Sequence, residues 1–214
     1  MKMQTSLTPE RMLAAYRRGI FPMAESRNGG ELHWVEPHQR GIFPLEGFHI
    51  SRSLRRRILA GGYEVALDRD FIGVVAACAD RRETWINDEL FRLYEALHRD
   101  GHAHSLEVWV DGALVGGVFG ITLGRAFMGE SMFSRRTDAS KLALAYLIDR
   151  LRQAGFVLFD TQFLTPHLAS LGAVEIPQGD YLKRLKLALT GSADLTAPDI
   201  PQPSVLIQRT TQTS

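Results

Sequence analysis

The residues best placed to do chemistry lie in one apolar run, Phe156-Val157-Leu158-Phe159-Asp160-Thr161-Gln162-Phe163. Read as a strand, its side chains alternate faces, so Leu158, Asp160 and Gln162 share one face and Phe159, Thr161 and Phe163 the other. Two polar side chains on one face of an apolar strand are costly to bury unless they are paired. Asp160 can accept a hydrogen bond from the Gln162 amide, which would aim the Gln162 carbonyl outward. A polar pair that merely closes the end of a sheet has the same pattern, and the pattern alone leaves both readings open.

Other candidates are weaker. Glu130, in Gly129-Glu130-Ser131-Met132-Phe133-Ser134, could bind a cation or a ribose hydroxyl, but by itself it reads better as an ordinary strand-end charge. Ser131 and Ser134 lack the Gly-x-Ser-x-Gly elbow of an activated serine. Of seven histidines, His102 and His104 stand two apart with no third ligand at metal spacing. His167 could line a site or simply begin a helix. Gly116, Gly117, Gly120 and Gly124 miss the Gly-x-Gly-x-x-Gly spacing and precede no helix, so they are expected to allow a bulge or a close backbone approach. Trp85 and Trp34 read as core packing before base stacking. Arg52, Arg55, Arg56 and Arg57 form the strongest basic cluster, for which a solvated helix face is the plain reading.

The elements that must position these residues follow from caps and periodicity. Thr8, Pro9 and Gly19 frame a first helix carrying Met12, Leu13 and Tyr16. An apolar exit, Gly19 to Met23, leads into the polar loop Glu25 to Gly30. Ser51 or Ser53 caps a short basic helix over Leu54 to Leu59. Asp70 caps a helix with Phe71, Val74, Val75 and Cys78 on one face, and Asn87 caps another with Leu90, Leu93, Tyr94 and Leu97 inside. Leu106 to Val110 and Leu114 to Ile121 flank Asp111-Gly112, a hairpin signal, and Arg125 to Phe133 is a third strand. Asp138 begins a long helix, Ala139 to Gln153. The strand with Asp160 comes next, then a short helix from His167 stopped by Gly172, and a last one from Asp180 to Leu189.

A meander that hands over to a strand–helix–strand crossover predicts an α+β chain, a mixed β-sheet with helices on both faces. The order matches GNAT-like acyltransferases, a likeness that does not fix chemistry. No glycine-rich turn precedes the long helix, which argues against the pyrophosphate site of an acyl-CoA enzyme. Residues 1–37 read as a small, abbreviated N-terminal domain with too few apolar residues to fold alone, and 38–214 as the GNAT-like domain.

Composition bounds the rest. The chain has 214 residues, 45% hydrophobic and 23% charged, with a net charge of +1, which is ordinary for a globular protein. The single cysteine, Cys78, cannot form an internal disulfide and fits a reducing compartment. The polar residues after Lys2 do not read as a secretory leader, and no apolar run is long enough for a membrane span. Disorder is expected at the tail Thr210 to Ser214 and over Pro198 to Pro203.

One set of segments carries a resemblance. In chain order these are Gly19-Ile20-Phe21-Pro22, Phe48-His49-Ile50-Ser51-Arg52-Ser53-Leu54, Thr84-Trp85-Ile86, Ala103-His104-Ser105-Leu106-Glu107-Val108-Trp109, Val115-Gly116-Gly117, Gly129 to Ser134, Ala139-Ser140-Lys141, Asp160-x-Gln162 and His167-Leu168-x-Ser170-Leu171-Gly172-Ala173. Each is weak alone. As an ordered set from about Tyr16 to Leu182 they resemble the bacterial leucyl/phenylalanyl-tRNA–protein transferases.

The resemblance implies a cytoplasmic, monomeric aminoacyltransferase without metal or cofactor. It would move Leu or Phe, with Met as a further candidate, from Leu-tRNA or Phe-tRNA to proteins with N-terminal Arg or Lys, creating an N-degron. It implies that Gln162 engages the attacking α-amine, supported by Asp160, and that Trp85 stacks on the terminal adenosine. Val118, Phe127, Met132 and Leu147 would line the pocket for the Leu or Phe side chain, with Glu130 beside it. Arg52, Arg55 and Arg56 would contact tRNA. The chain departs from the family's usual aromatics at Met23, His33 and Leu147. A CoA-dependent N-acetyltransferase and a non-catalytic tRNA-binding module are the rival readings.

Overall fold

The computed structural model describes residues 7–27 and 32–211. The stretch after Lys2, the end of the polar loop from Asn28 and the last three residues of the expected tail lie outside the described residues.

The first helix, α1 (Pro9–Tyr16), is capped by Thr8, whose hydroxyl accepts from the Arg11 N–H, and it buries Met12 and Tyr16. Gly19, at φ +79°, turns the chain out of it. The apolar exit is a strand: β1 (Phe21–Ala24) pairs with β2 (Leu32–Val35) as an antiparallel ribbon in which Met23 faces His33. Then follow β3 (Gln39–Phe43), α2 (Arg52–Ala60), β4 (Glu64–Leu67), α3 (Phe71–Ala79) and α4 (Asp88–Arg99). Ser51, Asp70 and Asn87 cap the three helices through their side chains, as their spacing predicts.

The meander β5 (Ala103–Val110), β6 (Ala113–Leu123) and β7 (Ala126–Ser134) leads to α5 (Ala139–Gln153) and β8 (Leu158–Gln162). Asp111 and Gly112 both take positive φ at the first turn, as a two-residue hairpin requires. Gly116 and Gly120 permit close approach: a Cβ would sit 2.5 Å from that of Ala139 at the first and 2.3 Å from the Met128 carbonyl at the second. The chain ends with α6 (Pro166–Ser170), β9 (Val174–Pro177), α7 (Gln178–Ala188) and α8 (Pro203–Thr211).

Seven strands form one sheet in the order β4-β5-β6-β7-β8-β3-β9. Only β7 and β8 run parallel, joined by the α5 crossover. One face packs Phe119, Met128 and Leu158 against α1, α3, α4 and α7. The other packs Val118, Phe127 and Phe159 against α2, α5 and α8. This is the α+β, GNAT-like arrangement that the order of elements predicts.

Five strands and one helix were not anticipated: the ribbon strands β1 and β2, the sheet strands β3, β4 and β9, and α8. β3, β4 and β9 are four or five residues long and each contains a charged residue. The stretch Pro198 to Pro203 and the described residues after it, up to Thr211, are not a disordered tail. Arg150 of α5 donates to the carbonyls of Leu195 and Thr196 at 2.6 and 3.0 Å, and α8 buries Leu206 and Ile207. Local polarity outweighed these two apolar anchors in the sequence pattern.

Candidate active site

The sheet splits where the predicted chemistry lies. β7 and β8 pair through Ala126–Leu158, Phe127–Phe159 and Met128–Asp160, and no further. Beyond that point β7 stays with β6 as far as Ser134, while β8 pairs with β3 through Gly41–Gln162. Glu130 and Gln162 stand on the two sides of this divergence, and the Gln162 Nε2 donates to Glu130 Oε1 at 3.2 Å.

Glu130 is therefore not a strand-end charge. It is buried, and it also accepts from the Tyr16 hydroxyl at 2.6 Å and the Tyr94 hydroxyl at 2.7 Å. Burial pushes its pKa up to about 7; the hydrogen bonds from Tyr16, Tyr94 and Gln162 oppose that rise, and the nearby Asp160 charge adds to it. Burial first, and then Glu130, raises both tyrosine hydroxyls well above their usual range.

Asp160 is fully buried, but its side-chain partner is not the Gln162 side-chain amide. Arg40 grips it with two bonds, Nε to Oδ1 at 2.8 Å and Nη2 to Oδ2 at 2.6 Å, and the Tyr181 hydroxyl donates to Oδ2 at 2.9 Å. The bond between Asp160 and Gln162 runs instead through the Gln162 backbone N–H, 2.8 Å from Oδ1. The reason is backbone geometry: Gln162 takes a φ of 63°, which turns its N–H to Asp160 and its side chain to Glu130. With Nε2 committed to Glu130, the Gln162 carbonyl oxygen lies on the other branch of the amide.

The other predicted residues are distributed over the fold. Trp85 is half-buried and packs edge-on to Tyr94, with centroids 6.4 Å apart, one ring away from Glu130. Val118, Phe127 and Leu147 are buried on the opposite, α5 face of the sheet, and Met132 packs against the same cluster. Arg52, Arg55 and Arg56 are exposed on α2, which packs inward through Leu54 and Ile58. The structure thus joins Gln162, Asp160 and Glu130, sets Trp85 near them, and places the apolar set across the sheet.

Ser134 serves structure: its hydroxyl donates to the Arg136 carbonyl and accepts from the Ser140 N–H. His104 binds Asp68 at 2.7 Å, and His167 is exposed on α6. Among the described residues no group of His, Cys, Asp and Glu is placed to hold a metal, and no helix is long and apolar enough to cross a membrane. Sequence reasoning missed Arg40, Tyr16, Tyr94 and Tyr181. A signal was present for the tyrosines, because a phenol at a buried helix position needs a hydrogen-bond partner.

A buried ion pair, a buried glutamate and an amide at the point where a parallel pair diverges form a preorganised polar site within an apolar sheet. It can orient a donor such as an amine without a strong base. The fold is that of FemX, with a TM-score of 0.52 at 14% identity, covering 67% of this chain and 60% of that one. Fold and site thus define the class as an α+β protein of GNAT-like architecture with a preorganised polar site at the split of its sheet.

Sequence comparison narrows the class. Residues 42–186 match the leucyl/phenylalanyl-tRNA protein transferase family and residues 5–38 match the N-terminal domain of that family, so the chain belongs to the leucyl/phenylalanyl-tRNA–protein transferases, which are aminoacyltransferases. It is similar to the leucyl/phenylalanyl-tRNA–protein transferase of Cereibacter sphaeroides, 65% identical over 210 residues and 98% of each chain. The Ruegeria pomeroyi protein of the same name is 64% identical over 209 residues, 98% of this chain and 100% of that one.

Proposed function

We propose that this protein transfers Leu or Phe from aminoacyl-tRNA to the α-amino group of proteins that begin with Arg or Lys, and that the product is an N-degron. The observation that carries this reading is the position of Gln162, held between Glu130 and the Arg40-bound Asp160 at the split of the sheet.

The substrate ester is already activated. The acceptor amine, with a reference pKa of about 7.7–8.0, is partly neutral near pH 7. Its nitrogen attacks the aminoacyl carbonyl carbon, the amide bond forms, the bond to the ribose oxygen breaks, and the amine's proton ends on that oxygen. The Gln162 carbonyl accepts a hydrogen bond from the amine and aims it. Holding amine and ester together supplies most of the acceleration, up to roughly 7–11 kcal/mol for well-oriented pairs.

In this reading Trp85 stacks on the terminal adenosine and Arg52, Arg55 and Arg56 meet tRNA phosphates. Met132, half-buried, with the buried Val118, Phe127 and Leu147 packed behind it on the α5 face, forms the wall that reads the Leu or Phe side chain. Such a wall separates single methylenes by only about 1–3 kcal/mol, which suits two donors. Residues 1–37 act as a small unit in front of the catalytic domain, and the protein works as a cytoplasmic monomer.

The test is transfer of labelled Leu or Phe from charged tRNA to a protein with N-terminal Lys, with an N-acetylated copy as control. Label on the free-amine acceptor alone is expected. Gln162→Ala is expected to lower turnover while charged-tRNA binding survives. No label with intact charged tRNA, but acetyl transfer from acetyl-CoA, would sink the reading.

A further inference from the structure

Arg40 is one of the largest fully buried side chains in the protein, 1% exposed, and it belongs to the first strand of the large sheet. Each part of its guanidinium has a separate task. Nε and Nη2 take the two oxygens of Asp160, while Nη1 donates to the Gly19 carbonyl at 2.9 Å, at the exit of α1. The rings of Phe21 and Tyr181 stand 4.6 and 4.5 Å from its central carbon. One planar cation therefore joins the end of α1, the ribbon strand β1, the sheet and α7.

The same geometry reaches Gln162. The Asp160 oxygen that accepts from Arg40 Nε also accepts the Gln162 N–H. That bond fixes a glutamine at a φ of 63°, which is uncommon for a residue other than glycine. The register of β3 against β8 also shifts at this point, between Gly41 and Ile42.

We propose that Arg40 is a positioning residue for aminoacyl transfer, through which the docking of the N-terminal segment onto the sheet sets the orientation of the Gln162 amide. This rests on the reading of Gln162 given above. Arg40 touches no reacting atom; it acts through Asp160 and the Gln162 backbone. A lysine keeps the charge but is a single point donor, and it cannot hold both carboxylate oxygens and the Gly19 carbonyl in one plane.

The experiment is a double-mutant cycle with Arg40→Lys and Gln162→Ala, read as kcat and KM for charged tRNA, together with amide hydrogen exchange at Gln162. Arg40→Lys is expected to lower kcat about tenfold or more, with KM changed less than about twofold, and to lower it hardly at all in the Gln162→Ala background. The Gln162 amide should lose protection while that of Phe159 keeps it. Equal losses in both backgrounds, a loss confined to KM, or unchanged Gln162 exchange would overturn the proposal. If Arg40→Lys does not fold, Tyr181→Phe, which removes one donor to Asp160, should show the same pattern more weakly. A wild-type protein inactive with charged tRNA refutes the transferase reading, while the exchange experiment still decides whether Arg40 fixes Gln162.

Discussion

Two polar networks around buried carboxylates lie on the same sheet, and they are built differently. Glu107, wholly buried in β5, accepts from the Asp70 N–H, the Ser105 hydroxyl and the Trp109 indole at 2.8–2.9 Å. Beside it, Asp68 accepts from the Ser105 N–H and meets His104, both at 2.7 Å. Every member of this network lies between residues 68 and 109. The network at Glu130 and Asp160 draws on Tyr16, Arg40, Tyr94, Gln162 and Tyr181, so it spans most of the chain. The first network closes a strand pair and caps a helix. The second gathers distant elements around one amide at the split of the sheet. The difference teaches that burial and complete hydrogen bonding do not mark a site; what marks it is convergence on a group placed where the sheet opens.

Breaking the distant network should have the largest effect. Asp160→Asn leaves the Arg40 charge buried without its anion, for an expected loss of about 3–5 kcal/mol of stability in denaturant unfolding. Transfer should fall about 100-fold as Gln162 loses its alignment. Glu107→Gln is the counterpart, since it turns an amide N–H₂ toward existing donors. It should lose about 1–3 kcal/mol in the same measurement, yet keep kcat within about twofold when folded. If Glu107→Gln costs as much turnover as Asp160→Asn, the contrast between the networks fails.

A pH series sharpens the contrast. The folded pKa of Glu130, about 7, lies above its unfolded value, so the folded state binds more protons between the two. The resulting stability is fully present below about pH 4.5 and is lost as pH rises through 7. Measured melting should show wild type gaining on Glu130→Gln as pH falls across that window. A constant difference would contradict the raised pKa. The smallest effect is expected from Arg55→Ala, on the exposed face of α2, which touches neither network. It should leave stability within about 0.5 kcal/mol and kcat unchanged, raise KM for charged tRNA, and lower the salt slope of binding by about 1.

Much of the fold was legible because its signals are local. Ser51, Asp70 and Asn87 announce helices by capping chemistry, and Asp111-Gly112 announces a hairpin by its positive φ angles. The pairing of β3 with β8 and β9 was not legible, because a five-residue strand containing Gln39 and Arg40 carries no alternation strong enough to place it. The site divides in the same way. Asp160 and Gln162 stand out as polar residues on one face of an apolar strand. Their partners do not: Arg40 is one of 25 lysines and arginines, and only the folded chain shows that it is buried against Asp160. Glu130 looked ordinary since its three donors come from α1, α4 and β8.

The place of β3 in the sheet has a consequence for synthesis. Both of its neighbours, β8 and β9, come later in the chain, and Arg40 meets Asp160 across 120 residues. At about 10 residues per second, the ribosome finishes Asp160 roughly 12 s after Arg40. Until then the nascent chain carries a strand with two open edges and an arginine without its anion. The meander and its helices, with their short-range contacts, can form first. A chain stalled before Leu158 would therefore be partly folded and inactive, with β3 as its exposed, association-prone edge.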